Sequence, residues 1–359
     1  MLDRHSDALN LTHLLALTDD TGVLQHAHYA LPNRDHGYAT DDNTRALLFA
    51  CRALTRDPDA GQRAQLEALQ ATALSFVQHA YDPDRRRFRA FMSFDRRWED
   101  EFTEDCDSRS LWGLAECATL AREALAAPAA EVFRDAAAGA TALDSPRAWA
   151  YALLGLDIWL RRLGDDGPIA DAHRTLATRL RAHFTANAEA DWPWPESELT
   201  YANARLPQAL VLAGETLGDG DMVAGGLEVL DWLIRQQTVD GVFSPIGNRG
   251  WFPRGGVAAR FDQQPIEACG TAEACADTLR VTGDERWRAA AQLAIRWFEG
   301  DNVAGQPVYD LETGGCHDGI IAGGLNRNMG AESTISWLST VLVRADLDGG
   351  RERPGDRGD

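Results

Sequence analysis

The sequence predicts an all-α protein in which about twelve helices pair as six hairpins and the hairpins close into a ring. Three observations support this fold class. Apolar residues recur with the helical 3.6-residue period along most of the chain, strand-like alternation is essentially absent, and the connections between successive helices alternate between short and long. This combination predicts an (α/α)6 toroid, a closed ring of six antiparallel helical hairpins.

The periodicity places each helix along the chain. The predicted spans are 6–17, 42–55, 62–80, 107–124, 128–141, 145–164, 168–188, 201–217, 221–237, 265–282, 285–299 and 331–345. Ser145 followed by Pro146 is a helix start signal, and Gly283 followed by Asp284 is a stop and a start in adjacent residues. The chain is therefore expected to form one domain over residues 1–347, with a disordered Gly-, Arg- and Asp-rich tail at 348–359.

The connections assign two faces to the ring. Short connections are predicted at 56–61, 126–127, 165–167, 218–220 and 283–284. The segments before helices two, four, ten and twelve are much longer, about 25 residues or more, and long loops in a compact domain are usually functional. All of them precede even-numbered helices, as does the intermediate segment before helix eight. The N-termini of one set of helices, expected to be the inner ring, therefore point at a common rim.

Charge and composition exclude several classes of function. The 35 basic and 55 acidic residues give a net charge of −20, which repels nucleic acid and anionic membranes. The N-terminus lacks the apolar segment of a signal peptide and no apolar run is long enough to span a membrane, so a cytoplasmic protein is expected. The six cysteines form no Cys-x-x-Cys pair and are interpreted as small core residues rather than disulfide partners or zinc ligands.

The long loops concentrate carboxylates, aromatic residues, amides and arginines. Aromatic rings pack on the apolar faces of sugars, amides and arginines bind hydroxyls, and paired carboxylates supply an acid and a base. No phosphate-binding or dinucleotide-binding glycine motif is present, so no cofactor is expected, and no Gly-x-Ser-x-Gly elbow indicates a serine hydrolase. The rim therefore predicts a carbohydrate site.

The rich loops belong to neighbouring helices once helix twelve closes against helix two, so the pocket is expected between these two, flanked by helices ten and four. The leading catalytic candidates are the carboxylates Asp42, Asp107, Asp262 and Glu332. Structural roles stay open at this point: Thr40 or Asp41 could cap helix two, Asp107 could cap helix four, and Glu332 could serve the dipole of helix twelve.

The same loops supply the candidate substrate-binding residues. These are His36, Tyr38, Asp41, Asn43, Arg45, Trp98, Trp194, Glu196, Tyr201, Asn203, Arg205, Trp251, Gln263, Gln264, Glu267, His317, Asp318, Asn326 and Asn328. Four histidines fall in rim loops, namely His26, His28, His36 and His317. No metal site is expected because the helices carry no His-x-x-x-His spacing; hydrogen bonding to sugar is the favoured role, and proton transfer by a histidine pair stays open.

Four segments carry a resemblance to known proteins. The strings HGYATDDNTRALL, ELTYANARLPQAL, FDQQPIEA and GLNRNMGAEST resemble a bacterial family of the six-hairpin glycosidase superfamily that is encoded beside, or fused to, glycosyltransferases and often labelled as such. The resemblance covers most of the chain and implies the toroid fold and a glycosyltransferase as partner. A nucleotide-sugar transferase itself normally has α/β domains, which this sequence lacks. One mannanase family of the superfamily uses two adjacent aspartates, and Asp41–Asp42 is similar.

The favoured function at this point is a glycoside hydrolase, inverting, acting on a mannose- or glucose-containing oligosaccharide through carboxylate acid/base catalysis. Three alternatives share the fold. The first is a sugar 2-epimerase or isomerase, and the second is a non-catalytic saccharide-binding partner of a glycosyltransferase. The third is a phosphorylase, in which Arg249, Arg254 and Arg260 would bind phosphate.

Overall fold

The structure is a computed structural model that describes residues 9–164 and 167–349, and all twelve predicted helices are present in this part of the chain. They are α1 (Thr12–Leu17), α2 (Thr40–Leu54), α3 (Ala60–Ala80), α4 (Glu104–Leu120), α5 (Glu123–Ala137), α6 (Pro146–Leu163), α7 (Gly167–Asn187), α8 (Arg205–Leu217), α9 (Gly220–Gln236), α10 (Pro265–Thr282), α11 (Arg286–Phe298) and α12 (Ala331–Gly349). A short 3₁₀ helix spans Ala140–Ala142. None of the described helices is both long enough and apolar enough to cross a membrane.

The helices form a double ring. The even-numbered helices pack on one another in sequence, and α12 closes the inner ring against α2. Each odd-numbered helix packs outside its hairpin partner, with α1 lying against α12. The predicted (α/α)6 toroid is confirmed, and the N-termini of the inner helices face a common rim.

The connection between α4 and α5 lies earlier than the sequence predicted. It falls at Ala121 and Arg122, so Ala126 and Ala127, which were predicted as the loop, are inside α5. Pro128, the predicted first residue of helix five, lies in the second turn of α5. The start of α8 was also misplaced: the predicted start at 201 moves to Arg205, because residues 201–204 form a separate turn.

Short strands lie in the loops, where the sequence predicted none. They are β1 (Leu24–His28), β2 (Leu31–Ala39), β3 (Tyr81–Asp82), β4 (Arg87–Phe88), β5 (Phe91–Met92), β6 (Glu198–Leu199), β7 (Thr238–Val239), β8 (Val242–Phe243), β9 (Phe252–Pro253), β10 (Gly319–Ile321) and β11 (Gly324–Asn326). The β1–β2 hairpin and β5 form a three-stranded antiparallel sheet over the N-terminus of α2. Most of these strands have two or three residues, too few for an alternating pattern to show.

The end of the chain differs from the prediction in one respect. The helix α12 continues through Gly349, so the first two residues of the predicted tail are helical. The rest of that predicted tail, 350–359, lies outside the described residues, as do 1–8, where helix one was predicted to begin.

A network of buried ion pairs fills the axis of the ring below the rim. Arg52 donates to Glu116 at 2.5 Å and to Glu273 at 2.8 Å, and Arg205 also pairs with Glu273. These side chains come from α2, α4, α8 and α10, so the network connects opposite sides of the inner ring. Breaking one partner of such a buried pair typically costs about 3–5 kcal/mol, because the other charge stays buried without compensation.

Candidate active site

A cavity of about 340 Å³ opens at the rim, on the axis of the toroid. Four loops and the helix starts that follow them line it. The lining residues are Gln25, His26, Ala39, Asp41, Asp42, Arg45, Ala90, Phe91, Thr103, Asn248, Asp262, Gln264, Asp318, Gly319, Ile321, Asn326, Gly330, Glu332 and Ser333. Its centre lies at the starts of α2 and α12, flanked by α10 and α4, where the loop lengths predicted it.

Two adjacent carboxylates stand in the first turn of α2. The residue that caps this helix is Ala39, which is extended and makes no side-chain cap bond, so neither Thr40 nor Asp41 is the cap. The Thr40 hydroxyl instead donates to the carbonyl oxygen of Arg89 at 2.6 Å and ties the helix start to the loop before α4. Asp41 and Asp42 are therefore both free to face the pocket.

One arginine connects two of the candidate carboxylates. The guanidinium of Arg45 donates to Asp42 Oδ1 through Nη1 at 2.8 Å, and its Nη2 lies 2.7 Å from Glu332 Oε2. Asp42 belongs to α2 and Glu332 to the first turn of α12, so Arg45 bridges the seam at which the ring closes. The two carboxylates share a single positive charge.

Asp42 is held in its neutral form up to neutral pH. Its side chain is only 4% exposed. Burial, with a smaller contribution from the negative charges of Glu332 and Asp41, outweighs the opposing charge of Arg45 and raises the pKa of Asp42 to about 7. A carboxylic acid that keeps its proton near pH 7 can donate that proton to a leaving group.

Asp41 has the opposite protonation. Burial alone would raise its pKa, but the charges of Arg109 and Arg45 outweigh burial, so the pKa of Asp41 is lowered. Arg109 Nη1 donates to Asp41 Oδ2, and Arg45 lies 4.0 Å from the same oxygen. Adjacent aspartates on one helix thus present one carboxylate and one carboxylic acid to the same pocket.

Asp262 enters the pocket from the loop before α10. Its Oδ2 accepts a hydrogen bond from Arg249 Nε at 3.0 Å, and its backbone carbonyl accepts one from the amide of Asn248 at 3.0 Å. The other carboxylate oxygen, Oδ1, is buried and has no hydrogen-bond partner among the described residues. Oδ1 is thus an acceptor left without a protein partner in a residue that lines the cavity.

The loop before α12 contributes a further carboxylate. Asp318 Oδ1 accepts a hydrogen bond from the amide of Gly330 at 2.7 Å, and burial raises the pKa of Asp318 to about 6. The loop before α10 approaches Gly319 closely. Gly319 has a φ of +153°, and a Cβ at this residue would lie 2.4 Å from the carbonyl oxygen of Gln263. A glycine at 319 therefore allows the loops before α10 and α12 to pair.

Several lining residues were not among the predicted site residues. They are Gln25, Ala39, Ala90, Phe91, Thr103, Asn248, Gly319, Ile321, Gly330 and Ser333, and His26, which the sequence placed only among the rim histidines, lines the cavity as well. His26 contacts the ring of the exposed His36 edge-on, with the ring centroids 4.7 Å apart, and burial together with the His36 charge lowers the pKa of His26. The loops that hold these residues were identified from the sequence, but the face each residue presents depends on strand pairs that the sequence did not reveal.

Asp107 is the one catalytic candidate that the structure does not bring to the pocket. It lies in the first turn of α4, whose cap is Thr103 rather than Asp107. The Asp107 carboxylate accepts a hydrogen bond from the Phe88 amide at 2.8 Å and one from Arg87 Nε at 2.6 Å. These bonds hold the loop before α4 against the helix, which is a structural role.

The candidates from the loop before α8 also lie outside the pocket. Trp194 is fully buried and its indole donates to the carbonyl of Glu198, while Glu196 forms a bidentate pair with Arg147 at 2.7 and 2.8 Å. The remaining candidates here have protein partners: Tyr201 through its carbonyl with Arg147, Asn203 with Thr200, and Arg205 with Glu273. The loop stabilises the ring wall through these contacts.

Further predicted substrate-binding residues have structural partners as well. The Tyr38 hydroxyl donates to Asp19 at 2.6 Å, and Asn43 exchanges hydrogen bonds with the Val23 backbone. Trp98 packs against Phe76 and His79. Gln263 forms hydrogen bonds with Ser244 and Trp297. Glu267 accepts a hydrogen bond from the Ala202 amide, and Asn328 accepts one from the Tyr29 amide. Trp251 packs against the core, and the half-buried His317 is likewise absent from the lining, as is His36. Eight of the predicted residues do line the cavity: Asp41, Asp42, Arg45, Asp262, Gln264, Asp318, Asn326 and Glu332.

The arginines considered for phosphate binding do not converge on the cavity. Arg249 pairs with Asp262, Arg254 pairs with Glu189 and Asp191, and Arg260 lies over the ring of Phe261. The geometry therefore gives no support to a phosphate site in this loop.

Known proteins resemble this chain in structure rather than in sequence. No protein-family model matches the sequence, and no curated protein matches it significantly. Solved structures do match over nearly their full length. A sugar epimerase from a ruminal bacterium is 12% identical (94% of this chain and 95% of that chain covered, TM-score 0.70). The cellobiose 2-epimerase from Bacillus thermoamylovorans is 10% identical (93% and 96% covered, TM-score 0.71).

A third similar structure is an α-1,6-mannanase from a Salegentibacter species, 8% identical, with 95% of this chain and 98% of that chain covered and a TM-score of 0.64. It is an inactive variant, in which two consecutive aspartates are replaced by asparagine, in complex with α-1,6-mannotriose. At these identities the likeness establishes the (α/α)6 toroid fold.

Proposed function

We propose that the protein is a glycoside hydrolase that cleaves a neutral oligosaccharide, with Asp42 as the general acid and Asp262 as the general base. The observation that carries this proposal is the place of Asp42: a carboxyl group that is almost fully buried and lines a pocket shared with other carboxylates, where burial raises its pKa to about 7. Glycoside hydrolysis requires an acid with a raised pKa and a second carboxylate.

The acid step follows from the contacts of Asp42. The proton on Asp42 passes to the glycosidic oxygen as the bond to the leaving sugar breaks, and Asp42 becomes a carboxylate. Arg45 already donates to Asp42 at 2.8 Å and stabilises the charge that forms. Glu332 shares the guanidinium of Arg45, and its negative charge favours the neutral form of Asp42 before reaction.

The base step is assigned to Asp262. It lines the same cavity from the loop before α10, while Asp42 projects from α2, and Glu332 on α12 lies between these two elements in the ring. In an inverting hydrolase the base removes a proton from a water molecule that attacks from the face opposite the leaving group. Asp262 Oδ1 suits this role because it is buried without a protein partner while Arg249 holds the other oxygen.

The charges of the pocket define the substrate class. Five carboxylates line it, those of Asp41, Asp42, Asp262, Asp318 and Glu332, and Arg45 is the one arginine or lysine among the described lining residues. Arg45 is already engaged by Asp42 and Glu332. A uronate or a sugar phosphate would bring a negative charge into this field without a cation to receive it, so a neutral saccharide is favoured.

Manno- and gluco-oligosaccharides are the first substrates to test. The similar structures include an α-1,6-mannanase bound to mannotriose and cellobiose 2-epimerases, whose named sugars belong to these two series. The resemblance to a glycosyltransferase-associated family adds the proposal that the protein acts together with a glycosyltransferase.

The deciding experiment measures reducing-sugar release from a panel of neutral manno- and gluco-oligosaccharides and from matched uronate-containing ones. We expect turnover of a neutral substrate by the wild-type protein and loss of turnover in Asp42→Asn and in Asp262→Asn. Proton NMR during early turnover is expected to show the product anomer inverted relative to the substrate. Asp35→Asn is the control, because Asp35 is exposed on β2 and does not line the cavity. Wild-type turnover in either active-site variant would reject the assignment of that residue.

A sugar epimerase or isomerase is the second candidate, because His26 lines the pocket and contacts His36. Such an enzyme removes and returns a proton at a carbon next to the carbonyl, a task suited to histidine. Its signature is deuterium from solvent at C2 of the recovered sugar. Hydrolysis is favoured over this reaction, since His26 is the one histidine among the described lining residues and five carboxylates line the same cavity.

A further inference from the structure

Arg109 lies directly behind the wall of the cavity and does not line it. It stands in the second turn of α4 and is 7% exposed. Its Nη1 donates to Asp41 Oδ2, its Nη2 donates to Asp105 Oδ2 at 3.1 Å, and its guanidinium lies 4.7 Å from the ring centroid of Tyr151 on α6. The guanidinium is thus fixed on three sides, by α2, α4 and α6.

These contacts make the two aspartates of α2 unequal. Asp41 is in reach of two arginines, since Arg109 bonds its Oδ2 and Arg45 lies 4.0 Å from it. Asp42 has only Arg45 and shares that arginine with Glu332. Two buried carboxyl groups on consecutive residues compete for one proton, and the group with more positive charge nearby ionises first.

We propose that Arg109 is a positioning residue for catalysis: by binding Asp41 as a carboxylate, it leaves the proton of the Asp41–Asp42 pair on Asp42, the general acid. The catalytic role of Arg109 rests on the proposed function. The placement of the proton on Asp42 does not, because it can be measured without turnover. Arg109 does not line the cavity and acts through Asp41.

The groups that face this pair come from every neighbouring helix. They are Arg45 on α2, Asp105, Cys106 and Arg109 on α4, Tyr151 on α6 beyond Arg109, and Glu332 on α12. Of these, Arg109 is the cation that bonds Asp41 without also bonding Asp42. Replacing it therefore changes the balance between the two aspartates.

The test is a titration of the aspartate carboxyl groups by ¹³C NMR in the full-length protein, together with the pH profile of kcat/KM. In the wild type the carboxyl of Asp42, identified by its loss in D42N, is expected to titrate near neutral pH. In R109M, Asp41 takes up a proton, the negative charge beside Asp42 disappears, and the Asp42 titration moves about one pH unit lower. The alkaline limb of the kcat/KM profile is expected to move with it. R109K keeps the positive charge, so its Asp42 titration is expected to lie close to the wild-type value.

A double-substitution cycle separates this role from a purely structural one. D41N alone should move the Asp42 titration as R109M does, and R109M added to D41N should move it no further. D105N is the matched control, because it removes the other partner of Arg109 and leaves the bond to Asp41 in place; its Asp42 titration should stay at the wild-type value. Circular dichroism and thermal unfolding confirm that each variant is folded, and R109Q, which also removes the positive charge, serves if R109M is not.

An Asp42 titration in R109M, or in R109Q where that variant is used, that is the same as in the wild type overturns the proposal. A shift from R109M that persists in full in the D41N background also overturns it, since Arg109 would then act by another route. If the titration behaves as expected and no saccharide is cleaved by any variant, the proton placement stands and the proposed hydrolase function fails.

Discussion

Replacing Asp42 by asparagine is expected to make the protein more stable at alkaline pH and to lower its activity strongly at every pH. Asparagine keeps the shape of the side chain and an oxygen that can accept from Arg45, but it cannot ionise or donate an acidic proton. Loss of the general acid is expected to lower kcat by about 10²–10⁴-fold. The stability effect is the more specific part of the prediction, because it follows from the buried position of Asp42.

The magnitude comes from the difference in the pKa of Asp42 between the folded and unfolded states. The folded protein raises this pKa from 3.8 to about 7, and at about 1.4 kcal/mol per pH unit this corresponds to about 4 kcal/mol. Because the pKa is raised, the stabilisation by the neutral form is complete below the unfolded pKa and is lost as the pH rises through 7. The Asp42 side chain is 4% exposed, so solvent screening is small.

The assay is urea denaturation of the wild type and D42N at several pH values between 4 and 8. The free energy of unfolding of D42N minus that of the wild type is expected to increase by up to about 4 kcal/mol over this range. Taking the difference cancels the other titrating groups. D35N, which changes an exposed carboxylate, should give a difference that does not vary with pH in this way. A pH-independent difference for D42N would refute the buried neutral acid.

Three further predictions address the other carboxylates. Asp262→Asn should reduce kcat by at least about 10²-fold while substrate binding by calorimetry changes little, and external azide should restore turnover with inverted stereochemistry if the base is missing. Asp107→Asn should retain kcat within a few-fold of the wild type. Its free energy of unfolding should fall by about 1–3 kcal/mol, because the hydrogen bonds to Phe88 and Arg87 weaken. A large loss of kcat in a variant that stays stable would contradict the structural role of Asp107. Glu267→Gln should cost about 1–3 kcal/mol at pH 5, because Glu267 is buried and accepts from the Ala202 amide. Burial raises the pKa of Glu267 to about 7, so stabilisation by its neutral form is lost as the pH rises to 7, and the cost of the substitution should be smaller at pH 8; denaturation at pH 5 and pH 8 checks this.

Much of the candidate site could be located from the sequence, because loop length is a property of the chain order. The long loops before α2, α4, α10 and α12 were expected at one rim, and the cavity is lined from those four loops. The loop before α8 was expected to contribute as well, on the strength of Trp194 and Glu196. Composition could not separate a residue that faces a sugar from one that faces a protein partner: Glu196 is polar and lies in a rim loop, yet it binds Arg147.

The helices of this toroid were determined by the sequence alone. Their apolar period is local and repeats over three or more turns, so twelve helices and their pairing as hairpins could be predicted before any contact was known. The roles of the carboxylates were decided only by the tertiary structure. Asp41, Asp42 and Asp107 look alike in the sequence, because each lies near a helix start. Their neighbours distinguish them: Asp41 binds Arg109 on α4, Asp42 shares Arg45 with Glu332 on α12, and Asp107 binds the Phe88 amide in a loop. Protonation depends on charges and burial within a few ångströms, and those neighbours come from residues 19 to 290 positions away along the chain.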